Sequence, residues 1–530
     1  SPRGWAAVRA TAAVAGLRRG LEGLRERRVP PLQMAGYALL CLGAAGTSCA
    51  LAAVALVSLL PFWAGAEAMF YLFLRSKRAE MQRLLEPPPS AVVGLEEGLR
   101  HLHLIKDAAL VLKPYVPNVI EDFFAGWFPG ASLEELRQGD LVPWLAENFL
   151  FKRMADMGEA ELAKARAFMH GLEQAVGELR EAPFRLEPGT CGVRHLDPGF
   201  NVAGPFETYH YPLCVYLLVV ALHTGSGFIL RQLGFERHSQ HSSQKLGLNY
   251  WYLPGSQGLR AWQAAAGPEN GRRGGGGSRR RQGRGPREGP SKQHPIIIIP
   301  GIGPGLPMYM TLLKTVMHAA PGTPIFILEA AHIHMKPPWA EGWGEAMDRP
   351  EFQLNVHKML EQHGFGPEEA PVVVGHSYGC FLAKWLLHKN DHFQLKGALM
   401  LDPLIFLTVF PEISFNVSHK TPSTAREHLI KTLLREPGIA KAFNRHSYWP
   451  DVCLWDVDLA NLPKSVRTGI LLSKQDVFLP APKVFEYLKH SPHVPRDRVL
   501  CRMVPGHHAE FMLYPNQLDL VSSLLAFVLD

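Results

Sequence analysis

Apolar and polar positions alternate in blocks along the C-terminal half of the chain, from His294 onward. Apolar runs of three to six residues are separated by stretches with the mixed pattern of surface helices. Such runs predict strands that are buried on both faces, so the pattern predicts an α/β fold with a mostly parallel sheet and helices on both sides. The predicted strands are Ile296–Ile299, Ile325–Leu328, Val372–Val374, Ala398–Leu401, Gly469–Leu472 and Val499–Val504, with a further strand in Leu246–Leu253.

The N-terminal part of the chain has a different pattern. Ala35–Leu60 is a run of 26 residues without a charge. At a rise of about 1.5 Å per residue, this run is long enough to cross a hydrocarbon core of about 30 Å. Pro61 ends the run, and Phe62–Leu74 predicts an interfacial continuation. Basic residues lie on both sides, so charge does not indicate the orientation.

Residues 90–200 have the pattern of soluble helices, and Ser132 with Glu135 forms a capping box that predicts a helix start. A second apolar segment, at 211–230, is short and contains His223. We interpret it as an interfacial or buried helix, with a full membrane span as the alternative. Arg231 and Arg237 could contact anionic lipid headgroups, although solvated surface charge is the ordinary explanation.

The net charge of +7 has a local origin. Residues 271–290 contain seven arginines and one glutamate, a net of +6, which leaves +1 for the rest of the chain. The charge therefore gives no reason to expect a nucleic-acid partner. The seven cysteines form no C-x-x-C pair, so neither a disulfide framework nor a zinc site is expected.

These patterns predict five regions and one insertion. The Gly/Arg-rich linker is expected to be disordered, because it has too little apolar surface to bury. The regions are a basic, flank-like or transit-like segment at 1–33, a membrane-embedded region at 34–74, a helical region at 75–262, the linker at 263–293, and a catalytic domain at 294–530 with a lid insertion at 404–463.

The stretch VVVGHSYGCFLAKWLL predicts a strand, a tight turn and a helix. Its centre is the motif G-x-S-x-G, the nucleophile elbow of many hydrolases, in the strand-to-helix context that the elbow needs. Gly375 and Gly379 leave room for the turn, and Ser377 would project above the sheet at a helix N-terminus. Ser377 is therefore the candidate nucleophile.

A serine hydroxyl needs a base to accept its proton and an acid to orient that base. Asp476 follows a predicted strand, and His507 and His508 follow the last one, in the order Ser, Asp, His. Asp402 also stands at a strand end and is the alternative acid. Chain order favours Asp476, because it places the acid nearer the histidine.

Together these motifs resemble the α/β-hydrolase superfamily, in which the catalytic histidine commonly follows a glycine and precedes a proline by seven residues. Here the two cues conflict, since Gly506 indicates His507 whereas Pro515 indicates His508. The distance to the proline reflects the start of the next helix, so we take His508 as the base and His507 as the alternative.

A narrower resemblance runs from about Trp127 to the C-terminus, to poorly characterised membrane-associated eukaryotic α/β-hydrolases. It is carried by YHYPLCVYL, PGIGPGL, GHSYG, LDPLIFL, FPEISFNVSH and HAEF. Those relatives usually have His where this chain has Pro300. The change leaves the backbone donors of the glycine loop intact but removes a polar side chain.

The glycine loop Gly301–Gly305 imitates a dinucleotide-binding fingerprint, and Glu329 stands where a ribose-binding acid would belong. However, the third glycine comes one residue early, and two prolines remove amide donors. An oxyanion loop explains the same residues better, with the backbone N–H groups of Ile302 and Tyr378 as donors. No cofactor is expected.

His332 and His334 have a spacing that metal ligands can have, but no third ligand is near in sequence, so no metal is expected. The sequence thus predicts a membrane-associated serine hydrolase that acts on acyl esters, most plausibly lipid esters. Three alternatives stay open: an acyltransferase with the same triad, an inactive α/β-hydrolase-like scaffold, and a nucleotide-dependent oxidoreductase.

Overall fold

The computed structural model of the protein describes residues 60–83, 88, 92–198, 204–240, 247–255, 294–330, 332–388 and 392–530. The predicted segment at 1–33 and the predicted linker at 263–293 lie outside the described residues. So does almost all of the predicted membrane-spanning run, Ala35–Leu60. Residues 60–81 are helical, and they include the predicted interfacial continuation.

The chain divides into two compact units, Ser1–Ser76 and Lys77–Asp530. The described part of the first unit, residues 60–76, is a single helical stretch. The second unit contains a sheet and the helices that cover it. Its strands are β1 (Glu236–Ser239), β2 (Asn249–Leu253), β3 (Ile296–Ile299), β4 (Ile325–Glu329), β5 (Val372–His376), β6 (Gly397–Leu401), β7 (Arg467–Ser473) and β8 (Val499–Val504).

The eight strands follow the order β1-β2-β4-β3-β5-β6-β7-β8. Strands β3 to β8 are parallel, whereas β2 runs antiparallel to both β1 and β4. This order with a reversed β2 is that of the α/β-hydrolase fold, so the predicted fold of the catalytic domain is confirmed. The membrane-attached region of the same prediction lies mostly outside the described residues and stays a prediction. All residues of β3 to β6 are buried, as the continuous apolar runs predicted.

Helices precede the sheet, alternate with its strands and fill the predicted insertion. The α-helices of the second unit are α1 (Leu95–Leu112), α2 (Val119–Trp127), α3 (Gln138–Leu145), α4 (Glu159–Arg180), α5 (Leu213–Gln232), α6 (Met310–Ala319), α7 (Arg349–Gln362), α8 (Gly379–Leu387), α9 (Pro411–Ser414), α10 (Ala425–Leu434), α11 (Pro437–His446), α12 (Trp449–Val452), α13 (Asp456–Asn461), α14 (Ala481–His490) and α15 (Pro515–Leu529).

Successive residues of each strand point to opposite faces of the sheet, and each face has its own hydrophobic core. Ile296 and Ile298 pack with α6 and α15 on one face. Ile297 and Ile299 pack on the other face in a cluster that also contains Trp144 of the N-terminal helices. The helical region before the sheet therefore shares a core with it.

The predicted helix start at Ser132 is wrong. The capping-box hydrogen bonds do form, since Ser132 N and Oγ lie 2.8 and 3.0 Å from Glu135 Oε2, but residues 133–135 form a turn. A second capping box lies directly after the first in the sequence. The N–H of Arg137 donates to Asp140 Oδ2 at 2.9 Å, and α3 begins at Gln138 instead.

The apolar segment predicted at 211–230 forms α5. Among the described residues, α5 is the one helix that is long and apolar enough to cross a membrane. Of its most apolar stretch of 18 residues, 28% is buried. A single helix of this kind is weak support for a span, because buried core helices have the same composition. Its exposed side is rich in aliphatic and aromatic side chains.

Candidate active site

The G-x-S-x-G segment forms a sharp turn between β5 and α8. Ser377 has φ 54°, a left-handed conformation that is strained for a residue with a Cβ. A Cβ on Gly379 would lie 2.3 Å from the carbonyl oxygen of Ile299, and one on Gly375 would lie 3.0 Å from the Cβ of Ala383. Both glycines are therefore required by the close packing of the turn, as the sequence predicted.

Three predicted site residues lie in one hydrogen-bonded chain. The Oγ of Ser377 is 2.8 Å from Nε2 of His508, and Nδ1 of His508 is 2.6 Å from Oδ2 of Asp476. An ionised carboxylate can only accept, so Nδ1 carries the proton and Nε2 is free to accept from the serine. Asp476 is fixed in turn by the N–H groups of Phe478 and Leu479, at 2.8 and 3.0 Å.

The two candidate histidines have different surroundings. The ring of His507 is 3.0 Å from the carbonyl oxygen of Gln475, and its backbone N–H donates to Glu510 at 2.7 Å. It makes no hydrogen bond with Ser377 or Asp476. The geometry thus brings His508, and not His507, to the serine.

Asp402, the alternative acid, lies beside these hydrogen-bonded residues and makes no hydrogen bond with His508. Its buried carboxylate accepts from the N–H and Oγ of Ser473, at 2.7 and 2.9 Å, and from the N–H of Ala509, at 2.8 Å. Burial and the neighbouring charge of Asp476 raise the pKa of Asp402. Asp402 therefore holds the backbone next to His508, whereas Asp476 holds the imidazole.

Electrostatics tune the imidazole of His508. Burial opposes its protonation, but the charge of Asp476, the hydrogen bond to that residue and the charge of Asp402 act in the opposite direction. Together, these four effects raise the pKa of His508 above its ordinary value of 6.5. The arrangement thus stabilises an imidazolium, which is the species that a general base forms when it takes a proton.

The glycine loop lies against the elbow, with two of its amides already engaged. The N–H of Gly301 donates to the hydroxyl of Tyr309 at 2.6 Å, and that of Gly303 donates to the carbonyl of Ile333 at 3.2 Å. The amides of Ile302 and Tyr378 have no acceptor among the described residues. These are the two predicted oxyanion donors, and both can donate to a ligand.

A buried pair that the sequence did not reveal supports this loop. The hydroxyl of Tyr309 accepts from Gly301 and lies 2.7 Å from Nδ1 of His376, the variable residue before the serine. Burial, reinforced by the charge of His508, lowers the pKa of His376 well below its ordinary value. The neutral ring therefore accepts from Tyr309, and the pair links the glycine loop to the elbow.

Replacing Tyr309 by phenylalanine is expected to weaken both the fold and the loop. The change leaves the Gly301 N–H and His376 Nδ1 buried without a partner, so we expect the free energy of unfolding to fall by about 1–3 kcal/mol. Denaturant unfolding measures this loss, and ester turnover measures the loosening of the loop.

The matched control is Tyr250→Phe. Tyr250 lies on β2, away from the loop, and its hydroxyl bonds Gln362 and His363 at the end of α7. We expect the control to lose stability while it keeps the rate per folded molecule. Equal rates in the two variants would contradict a role of Tyr309 in positioning the loop.

Glu329 cannot serve a nucleotide in this arrangement. Both of its oxygens are engaged, with Arg237 at 2.9 and 2.8 Å and with the indole N–H of Trp251 at 2.8 Å. The dinucleotide interpretation needs this carboxylate free to bind a ribose hydroxyl. The geometry therefore gives that alternative no ribose-binding group at this position.

His332 and His334 have a spacing that metal ligands can have, but the structure brings potential metal-ligand atoms together at a different place. Among the described residues, the one group of three that lies within 4.8 Å is Asp402, Asp476 and His508. Both ring nitrogens of His508 already have partners in Asp476 and Ser377. A metal there would have to break the chain of hydrogen bonds described above.

No protein-family model and no curated protein matches the chain. Comparison with solved structures finds several hydrolases. One is the Pyrococcus furiosus esterase Pf2001, at 13% identity over 57% of this chain and 95% of that one, with a TM-score of 0.35. Another is the carboxylesterase CesB from Bacillus subtilis, at 12% identity over 58% and 98%, with a TM-score of 0.33.

A third similar structure is described as a membrane phospholipase A and bacterial virulence factor. It is 14% identical over 59% of this chain and 93% of that one, with a TM-score of 0.36. At such identities and TM-scores, no activity carries over from these proteins to the chain described here.

Proposed function

We propose that the protein is a serine hydrolase that cleaves carboxylic esters through an acyl-enzyme. One observation carries this proposal: the hydrogen-bonded series from Ser377 to His508 to Asp476, at 2.8 and 2.6 Å, stands beside two amides that have no acceptor in the described part of the chain. A strained serine next to a base, an orienting acid and preset donors is the arrangement that acyl transfer needs.

In the first half of the reaction, the Ser377 oxygen attacks the ester carbonyl carbon while Nε2 of His508 accepts the hydroxyl proton. The negative charge that develops on the carbonyl oxygen is met by the N–H groups of Ile302 and Tyr378. The imidazolium then gives its proton to the departing alcohol as the C–O bond breaks. Asp476 stabilises the imidazolium and keeps its ring in place.

In the second half, water takes the place of the alcohol. His508 accepts a proton from that water as it attacks the acyl carbon, and it returns the proton to Ser377 when the acid departs. An acyltransferase would differ in this half alone, with a second alcohol or lipid in place of water.

We further propose that the substrates are lipid esters and that the protein works at a membrane. Two features of the described residues favour this assignment. Most residues of the insertion at 404–463 are buried, and Ser447 contacts the Tyr378 hydroxyl at 3.0 Å, next to the elbow. In addition, α5 exposes large apolar side chains such as Leu218 and Phe228.

A fluorophosphonate probe tests the proposal directly, because it phosphonylates a serine, with loss of fluoride, only when a base activates the hydroxyl. We expect the full chain in non-ionic detergent to be labelled at Ser377, as located by peptide mass spectrometry. Ser377→Ala should abolish the labelling. Ser523→Ala, on the exposed side of α15, is the matched control and should label like the natural protein.

Two results would overturn the proposal. Folded protein that neither labels nor cleaves any ester would indicate the inactive scaffold. Labelling with acyl transfer to an alcohol at a rate far above that to water would indicate the acyltransferase.

A further inference from the structure

A cavity lies outside the candidate triad, between α5 and the edge of the sheet. Its volume is about 310 Å³. Apolar side chains of α5, among them Val219 and Val220, line the cavity together with four charged side chains. The charged lining residues are Arg231, Arg237, Glu329 and Lys336.

The charges in this cavity do not balance. Glu329 is buried and makes a two-pronged ion pair with Arg237, and Lys336 lies 3.5 Å from the same carboxylate. Burial disfavours its charge, but Arg237, Lys336 and Trp251 outweigh that effect and hold the pKa of Glu329 at about 2. Glu329 is therefore a full anion facing more than one cation.

Arg231 adds a further positive charge without a matching acid. It makes no ion pair among the described residues, and its guanidinium lies 5.8 Å from the ring centre of Trp251. Three cations and one carboxylate leave two positive charges for an outside ligand. Because Glu329 has no free oxygen, the cavity offers that ligand donors and no competing acceptor from this carboxylate.

The border of the cavity is apolar. At 100° per residue, Thr224 and Arg231 lie on the side of α5 that lines the cavity, and Leu217 and Phe228 lie directly beside them. Leu217 and Phe228 are 45% and 61% exposed. A ligand held in the cavity would therefore have large exposed apolar side chains at its exit.

We propose that this cavity binds the phosphate headgroup of a membrane phospholipid, with the acyl chains lying along the exposed apolar side of α5. The volume is at the lower end of the range of about 300–1,000 Å³ for drug-sized ligands, so it suits a headgroup and not the chains. Arginine and lysine are the side chains that bind phosphate oxygens with charged hydrogen bonds. Free phosphate would satisfy the cations but leave the apolar border in water.

The bound lipid would lie next to the glycine loop. Met335 lines the cavity and donates its N–H to the carbonyl of Gly303 at 3.0 Å. His223 lines it too, and its ring packs against Gly305 of the loop, where an added Cβ would lie 2.6 Å from Cε1 of His223. The cavity and the candidate oxyanion loop therefore share a wall. Binding does not require the chemistry of Ser377, so the site stands independently of the proposed function.

The test uses the full chain in non-ionic detergent and a fluorescent phosphatidic acid, with binding measured by anisotropy. Arg231→Gln combined with Lys336→Gln should weaken binding at least about tenfold, since each charged hydrogen bond contributes about a factor of ten. Arg237 is left intact, because its loss would leave the buried carboxylate of Glu329 without its two-pronged ion pair. The matched control, Lys464→Gln with Arg502→Gln, removes two exposed cations elsewhere and should bind normally.

A second variant changes the shape of the cavity and leaves its charge unchanged. Thr224 is exposed and lines the cavity, so Thr224→Trp should fill its mouth and weaken binding by a similar factor while the melting temperature stays near that of the natural protein. Unlabelled phosphatidic acid should displace the probe, whereas diacylglycerol and inorganic phosphate at equal concentration should not.

Several outcomes would overturn the proposal. Equal weakening in the control variant would indicate non-specific charge attraction, and displacement by diacylglycerol would show that the headgroup is not recognised. Displacement by inorganic phosphate would assign the cavity to the free anion. Fluorophosphonate labelling of the same samples separates the two proposals: labelled protein without lipid binding refutes this site alone, and lipid binding without labelling refutes the hydrolase alone.

Discussion

Alanine in place of His508 is expected to lower ester hydrolysis by about 10⁶-fold, the size of effect seen when a serine hydrolase loses its base. The reason is the single contact of 2.8 Å between its Nε2 and the Ser377 hydroxyl. Without an acceptor at that position, the hydroxyl keeps its proton and is a poor nucleophile. The residual rate would come from the oxyanion donors and from substrate binding alone.

The neighbouring histidine gives a control with the same change in composition. His507→Ala removes a ring that contacts the carbonyl of Gln475 and not the serine, so turnover of a short p-nitrophenyl ester should change little. Melting temperatures of both variants show whether each protein is folded. If His507→Ala abolished turnover and His508→Ala retained it, the assignment of the base would have to be reversed.

These two histidines also mark a limit of sequence-based inference. The glycine before His507 and the proline after His508 indicated different bases, and only the folded loop decides which ring reaches Ser377. Ala509, directly after His508, has φ 64°, a left-handed backbone conformation. A backbone conformation of this kind leaves no periodic signal in the sequence.

The sheet was far more predictable than the loops. Strands such as β3 and β6 are buried on both faces, so they consist of uninterrupted apolar residues and are easily recognised in the sequence. The edge strand β1 has the sequence ERHS and is mostly exposed. It forms by backbone pairing with β2, which side-chain hydrophobicity does not report, and it was missed for that reason.

The elbow was predictable because its glycines are required by contacts that any chain in this turn must make. The pair of Tyr309 and His376 was not, because the two residues are 67 positions apart and neither belongs to the invariant part of a motif. The same holds for the cavity beside α5. Its cations come from three separate segments that the fold alone brings together.

The sequence alone does not decide whether Asp402 or Asp476 is the acid that orients His508, and the reason is physical. Each follows one of two adjacent parallel strands, β6 and β7, so both carboxylates emerge at the same edge of the sheet. They lie close enough that one charge affects the other, and the backbone donors around each decide its contact with His508. A strand-end pattern cannot report which carboxylate faces the imidazole.

Asparagine in place of Asp476 is therefore expected to lower ester hydrolysis by about 10⁴-fold, because an amide in that position favours the wrong tautomer of His508 and no longer stabilises its charge. Asp402→Asn should cost much less. That change disturbs the hydrogen bonds to Ser473 and Ala509 but leaves the contact of 2.6 Å between Asp476 and His508 in place.

The pH dependence of kcat/KM separates these roles from simple structural damage. His508 accepts a proton only when it is neutral, so the rate falls as the pH drops through its pKa, which is raised above 6.5 in the natural protein. The charge of Asp402 contributes to that rise. Asp402→Asn should therefore shift the acid limb to lower pH while most of the rate at high pH remains. A larger loss in Asp402→Asn than in Asp476→Asn, at every pH, would instead make Asp402 the acid that orients His508.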